Sequence, residues 1–282
     1  MNQDDSVVDA FGDEWSRYDQ SRMDAAERRA LFEQYFAIFP WSDLPADAVG
    51  IDIGCGSGRW AVEVAPRVGR LICIDASAAA VDVARANLAG VPNCEVLVAS
   101  VADLPVEPAS MDFAYSLGVL HHVPDTAAAI ASCAQTLKPG APLLLYLYYS
   151  FENRPIWFRG LWKASDLLRR AVSRSPYPVR NAISSVIAVV VYWPLARLSA
   201  LVERLGADVS SMPLSYYRRL SFYVMRTDAR DRFGTQLEQR FSRDQIRAMM
   251  TAAGLEGITF SDDVFWTAVG TRTGLGTATS QS

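Results

Sequence analysis

"GIDIGCGSGRW", residues 50–60, sets Gly54, Gly56 and Gly58 at alternate positions directly after a short apolar run. Glycine reaches positive φ and lets another group approach the main chain, at a cost in backbone entropy. Between a strand and a helix start, such a turn turns its backbone N–H groups toward a ligand; the same residues also make a plain tight turn. The next apolar run, "RLICID", ends on Asp75, where a carboxylate accepts both hydroxyls of a ribose. A dinucleotide fingerprint needs its third glycine five positions after the first, and residue 59 is Arg. Asp52, just before the turn, repels a pyrophosphate and suits a cation.

Outward from this stretch the pattern alternates. "VGIDIG", "RLICID", "CEVLVAS", "MDFAYSLG" and "PLLLYLYYS" read as five strands. Helices fall between them: "RWAVEVAPRV", then "SAAAVDVARANLAG" with Ser77 as N-cap, then "DTAAAIASCAQTLKPG" opened by Asp125. That alternation implies right-handed crossovers and a parallel α/β sheet covered on both faces. "SRDQIRAMMTAAGLEGITFS" adds a helix and a strand, and "FWTAVGTR" a last strand joined by too short a link to be parallel to it. Ahead of the sheet, Leu31, Tyr35, Ile38 and Phe39 recur at helical spacing until Pro40 stops the run.

Five ordered segments, "DIGCGSGRW", "CIDAS", "ASVADLP", "SLGVLHHVPD" and "LKPG", together resemble the class I S-adenosylmethionine-dependent methyltransferases. The resemblance covers residues 49 to 149 and resumes over 239 to 272. It implies a Rossmann-like fold with a seven-stranded, mostly parallel sheet of order 3-2-1-4-5-7-6. It implies S-adenosyl-L-methionine as cofactor, its amino acid part held at Asp52, Gly54, Gly56 and Gly58, and its ribose at Asp75 and Ala76. Adenine falls after the third strand; aligning on "LP" places Ser100 and Val101 there, where the family's usual acid is absent. Asp103 is a second candidate, with the alternative task of capping the turn before Pro105. Ser116 and Leu117 meet the methionine end through backbone groups. In relatives an aromatic N-terminal helix closes over the cofactor, and Trp15 and Tyr18, three apart, fit that role or an ordinary packing face.

Methyl transfer asks for a nucleophile held in line with an already electrophilic methyl, and for a base when the acceptor is a hydroxyl. His121 and His122 are the only histidines and follow the fourth strand, which makes them candidate bases or helix-entry packing residues. Tyr148, on the face of the fifth strand that also carries Tyr146, is the third catalytic candidate. A second reading keeps the cofactor site without turnover, as a sensor or partner subunit. A nicotinamide oxidoreductase comes third, because of the glycine spacing.

Residues 151–238 break the rhythm and predict a helical cap inserted after the fifth strand. Residues 151–233 hold 14 Lys or Arg against 6 Asp or Glu, a balance of +8 in a chain of net charge −4. Ile183–Ala196 is strongly apolar, but Pro194 and Arg197 are expected to cut it short of a membrane span. Arg169, Arg170, Arg218, Arg219 and Arg226, set among aromatic residues, suggest an arginine-rimmed apolar pocket for a small acceptor: a lipid, an isoprenoid phosphate or a polyketide-like acid. The same surface suits peripheral membrane contact or a homodimer, and the acidic total and missing motifs argue against nucleic acid. The expected divisions are 1–48, an N-terminal segment closing over the cofactor; 49–150, the core; 151–238, the cap; 239–272, the end of the core; and 273–282, a flexible tail. The acidic opening lacks a secretory signal pattern, and Cys55, Cys73, Cys94 and Cys133 show no metal-ligand spacing, so a reducing cytoplasmic setting is expected, with no metal.

Overall fold

The computed structural model describes residues 2–20, 23–152, 154–262 and 266–274; the tail beyond 274 lies outside the described residues. Helices α1 (Asp5–Arg17) and α2 (Ala25–Tyr35) precede strand β1 (Val49–Ile53). Then come α3 (Ala61–Val64), β2 (Arg70–Asp75), α4 (Ala78–Asn87), β3 (Cys94–Val98), β4 (Phe113–Leu117), α5 (Thr126–Thr136) and β5 (Pro142–Tyr146). Four further helices, α6 (Ile156–Ser173), α7 (Tyr177–Ile187), α8 (Trp193–Arg204) and α9 (Phe222–Gly234), separate β5 from α10 (Arg243–Ala252), β6 (Leu255–Phe260) and β7 (Thr267–Arg272).

The strands form one sheet of order β3-β2-β1-β4-β5-β7-β6. β1 pairs in parallel with both β2 and β4, while β7 runs antiparallel to β5 and β6. The sheet therefore has the order and the single reversed strand that the resemblance implies. Ile51, Ile53, Ile74, Leu143 and Leu145 are buried within it, each contributing about 1.5–3 kcal/mol by leaving water. Caps read from the sequence form: Ser77 Oγ accepts from Ala80 N–H at 3.4 Å and Asp125 Oδ1 from Ala128 N–H at 2.9 Å. Ser242 and Gln245 make a reciprocal capping box at α10.

Two helices are shorter than their sequence pattern suggests. α2 ends at Tyr35, ahead of Pro40, because the chain turns to bring Phe36, Phe39 and Trp41 into one aromatic cluster. The helix read over "RWAVEVAPRV" is one α turn and then a 3₁₀ turn over Ala65–Arg67, since Pro66 has no N–H to continue it.

The chain divides into two compact units: one made of Met1–Gln20, Arg28–Ser150 and Leu237–Ser282, the other of Ser21–Glu27 and Phe151–Gln236. The second unit has its own small core, in which Val172, Ile187, Tyr192, Met225 and Phe233 pack together. Here the expected interruption does not occur. Tyr177–Arg204 is helical throughout, and among the described residues it is the one helix long and apolar enough to cross a membrane by length and composition. A π turn over Ala188–Tyr192 admits Pro194, because Trp193 N–H donates five residues back to Ala188 O and the ladder is already open.

The arginines expected to rim a pocket are engaged within this unit. Arg169 is buried, bonded to Asp166 at 2.6 Å and donating to Thr235 O at 2.9 Å, and Arg170 holds the other Asp166 oxygen. Burial opposes ionisation of Asp166, but the bonds and charges of Arg169 and Arg170 prevail and hold its carboxyl below the usual range. Arg218 and Arg219 both pair with Glu203. Arg226 is half-buried.

Candidate active site

The glycine turn is fastened to the end of β2. Gly54 and Cys55 N–H both donate to Ile74 O at 2.8 Å, and Gly58 N–H donates to Cys55 O at 2.8 Å. φ is +81° at Gly54, +54° at Gly56 and +76° at Gly58, a region that costs side-chain-bearing residues. A Cβ on Gly54 would stand 2.5 Å from the Val119 methyls, and one on Gly56 would stand 2.9 Å from the Trp15 indole. Both positions thus need glycine for space as well as for conformation.

Asp75 joins the two halves of the motif. Its Oδ2 accepts Gly56 N–H at 3.0 Å and its Oδ1 accepts Ser77 N–H at 2.9 Å. Burial raises its pKa, and these two bonds offset part of the rise. Asp52 is buried below the turn and accepts a hydrogen bond from Tyr115 OH at 2.9 Å. Desolvation lifts its pKa to about 8, against the bond from Tyr115 and with help from the charge of Asp75. A buried acid of this kind ionises readily only when a cation arrives.

Trp15, in the last turn of α1, lies on Gly56, and Gly12 of the same helix faces Ser77. Tyr18 is the C-cap of α1, its N–H donating to Glu14 O, and it is buried. Ala76 is half-buried beside Asp75. Ser116 is fully buried, its hydroxyl donating to Ile53 O at 2.8 Å, and Leu117 is buried at the end of β4. Ser100 and Asp103 bridge each other across a turn in which Ser100 Oγ accepts from Ala102 N–H, while Val101 is packed in the main core. The Asp103 N–H donates to Ser100 O at 3.0 Å across that turn.

Both histidines and Tyr148 come together. The His121 ring stacks on Tyr148 with centroids 3.8 Å apart and lies 4.0 Å from His122. His122 Nδ1 is 2.7 Å from Leu237 O, and Phe11 of α1 packs 5.0 Å from its ring. His121 is completely buried, and among the described residues neither of its ring nitrogens has a hydrogen-bond partner. Burial, reinforced by the charges of His122 and Arg240, pushes its pKa well below the usual histidine value.

Several neighbours escape a sequence reading. The segment returning to the sheet runs beside the histidines: Gln239 N–H donates to His121 O at 3.1 Å, and Arg240 lies 4.9 Å above the Tyr148 ring. Tyr35 links the turn side to this cluster, touching Trp60 and Tyr146 with centroids 5.1 Å away in each case. The sequence marked Tyr35 only as one position in the helical pattern of Leu31, Tyr35, Ile38 and Phe39. Nothing in the sequence marks Gln239 or Arg240, which arrive from across the chain.

Residues 51–145 match the profile of a family described as Methyltransferase domain. The Ubiquinone biosynthesis O-methyltransferase of Xanthomonas axonopodis pv. citri is 39% identical over 189 residues, 65% of this chain and 74% of that one. An uncharacterized 37.1 kDa protein in transposon TN4556 of Streptomyces fradiae is 38% identical over 98 residues, so the chain spans 28% of that relative's length. Among solved structures, a SAM-dependent methyltransferase from Thermotoga maritima, described as a possible histamine N-methyltransferase, superposes with a TM-score of 0.52 at 15% identity, over 93% of this chain and all of that one. At that identity the likeness concerns fold alone.

Proposed function

Because this chain belongs to the class I S-adenosylmethionine-dependent methyltransferases, with S-adenosylmethionine as its cofactor, we propose that it methylates a hydroxyl oxygen on an apolar small molecule. The residues fit the cofactor: a glycine turn, an acid bonded to it, and a buried carboxylate whose ionisation a cation favours. In this reading Asp75 and Ala76 hold the ribose, and Gly54, Gly56 and Gly58 hold the amino acid part. Asp52 supplies the field beneath them. Ser100 and Val101 meet the adenine, Ser116 and Leu117 present backbone groups, and Trp15 and Tyr18 close the side. When bound, the cofactor supplies an electrophilic sulfonium methyl and leaves as a neutral thioether.

The observation that carries the reading is His121. A general base must be unprotonated, and burial keeps this imidazole neutral with both nitrogens uncommitted. His121 takes the proton of the acceptor hydroxyl as its oxygen forms the new C–O bond. Tyr148 and His122 hold the ring in place, and Arg240 disfavours its charged form. Relatives named for O-methylation in ubiquinone biosynthesis support an oxygen acceptor with apolar character. The anionic part of the expected acceptor has less support, since Arg169, Arg170, Arg218 and Arg219 are paired internally. The four free cysteines support work in a reducing, cytoplasmic setting, where an apolar acceptor is met at a membrane surface.

The test is incubation of the chain with deuterated-methyl donor and cellular lipid extract, read by mass spectrometry. One labelled methyl on a hydroxylated apolar compound is expected. His121→Asn should slow transfer by about 10²–10⁴-fold with little change in donor affinity. The acid limb of the wild-type pH–rate profile should lie below the usual histidine range. No labelled product, or an unaffected variant, overturns the reading.

A further inference from the structure

We propose that the Phe151–Gln236 unit docks on the surface of an anionic lipid bilayer, with α6 and the continuous rod of α7 and α8 lying in the plane of the interface. This deepens the reading of an apolar acceptor and rests on it for its purpose, but its physical basis is separate.

On α6, Trp157, Leu161, Ala164, Leu168 and Ala171 recur at steps of four, three, four and three, and all are exposed. They form one outward apolar stripe. Arg159, Lys163 and Arg174 follow the same helical spacing along one flank of it and are exposed too. An apolar stripe rimmed by cations is the pattern that seats a helix at the headgroup–acyl boundary.

The rod repeats the pattern with less charge. Val179, Val186, Val190, Trp193 and Leu201 are exposed, and the outer face from Val179 to Trp193 carries no charged residue. Val190 is 60% and Trp193 48% exposed, far from core values. Contiguous apolar surface of this kind marks an interaction site. Trp157 and Trp193 are of the residue type that settles at membrane interfaces.

The opposite face of the rod decides between lying on a bilayer and crossing it. Arg180 donates to Gly234 O at 2.9 Å and to Ser173 O, while Ile187, Ala188, Tyr192 and Ala196 are in the core of the unit. The rod is bound to its own unit along its length, so lipid reaches one side only. Charge selects the partner. Residues 151–233 carry +8 while the rest of the chain carries −12, so the net charge favours an anionic surface on the side of this segment.

The experiment is co-sedimentation of the full chain with phosphatidylcholine vesicles and with vesicles containing phosphatidylglycerol, without cofactor or acceptor. Failure of the methyl-transfer reading therefore leaves the result intact. Binding to the anionic vesicles, released by high salt, is expected. Leu161→Glu, Leu168→Glu and Val190→Glu together should weaken it more than about tenfold, as should Lys163→Glu with Arg174→Glu. All five side chains are exposed, and circular dichroism with a melting curve verifies that each variant folds. Four results would overturn the proposal. The wild type stays in the supernatant; the variants bind equally; bound protein resists both salt and alkaline washing, as a spanning helix would; or the wild type is a dimer that the apolar variant dissolves.

Discussion

Two carboxylates near the glycine turn do different work, and substitution separates them. Asp75 is half-buried and bonded to the turn, so Asp75→Ala should weaken S-adenosylmethionine binding by about 10–100-fold in calorimetry, the value of one or two hydrogen bonds to a charged group. Asp52 is buried and governs pH dependence. In the folded chain it keeps its proton up to about pH 8, whereas unfolded it ionises near 4. Its contribution to stability is therefore complete below the unfolded value and lost as pH rises through the folded one. Wild type should lose more thermal stability than Asp52→Asn between about pH 4 and pH 8, and equal slopes would refute the assignment. The sequence made both acids legible because they sit within a few residues of a recognisable turn. It did not disclose that His121 is completely buried, nor that Arg240 and Gln239 border it. Those facts depend on a segment more than a hundred positions away returning to the same strand ends.

Among the elements, strands and caps were legible and helix lengths were not. Apolar runs bounded by turn residues fix β1 to β5, and Ser77 and Asp125 cap the helices they announce. Proline misled at three places, because its effect depends on what its neighbours can give up. Pro40 lies beyond a helix that aromatic packing had already ended, and Pro66 converts an α turn to 3₁₀. Pro194 is accepted because a wider turn precedes it. The arginines of α6 misled similarly, since charge density does not reveal pairing. Asp166 is what allows Arg169 to be buried. Asp166→Ala should cost about 3–5 kcal/mol in denaturant unfolding by leaving that guanidinium uncompensated; a loss under 1 kcal/mol, about what a surface ion pair contributes, would contradict the pairing.

At the scale of the molecule, the sheet order and its reversed strand followed from the motifs, whereas the extent of the second unit had only composition behind it. Ser150 N–H donates to Phe241 O at 3.0 Å and Phe241 N–H donates to Tyr148 O at 2.9 Å, so the chain leaves and rejoins the sheet unit at one bonded seam. Joining Ser150 to Leu237 through a short glycine–serine linker should therefore leave a folded protein that binds S-adenosylmethionine within about tenfold of the full chain. A calorimetric titration of that protein is the check, and failure to bind would mean that the sheet depends on the excursion. The seam has an evolutionary corollary. A lineage could exchange everything between those two positions as a cassette while inheriting its handling of the methyl donor unchanged.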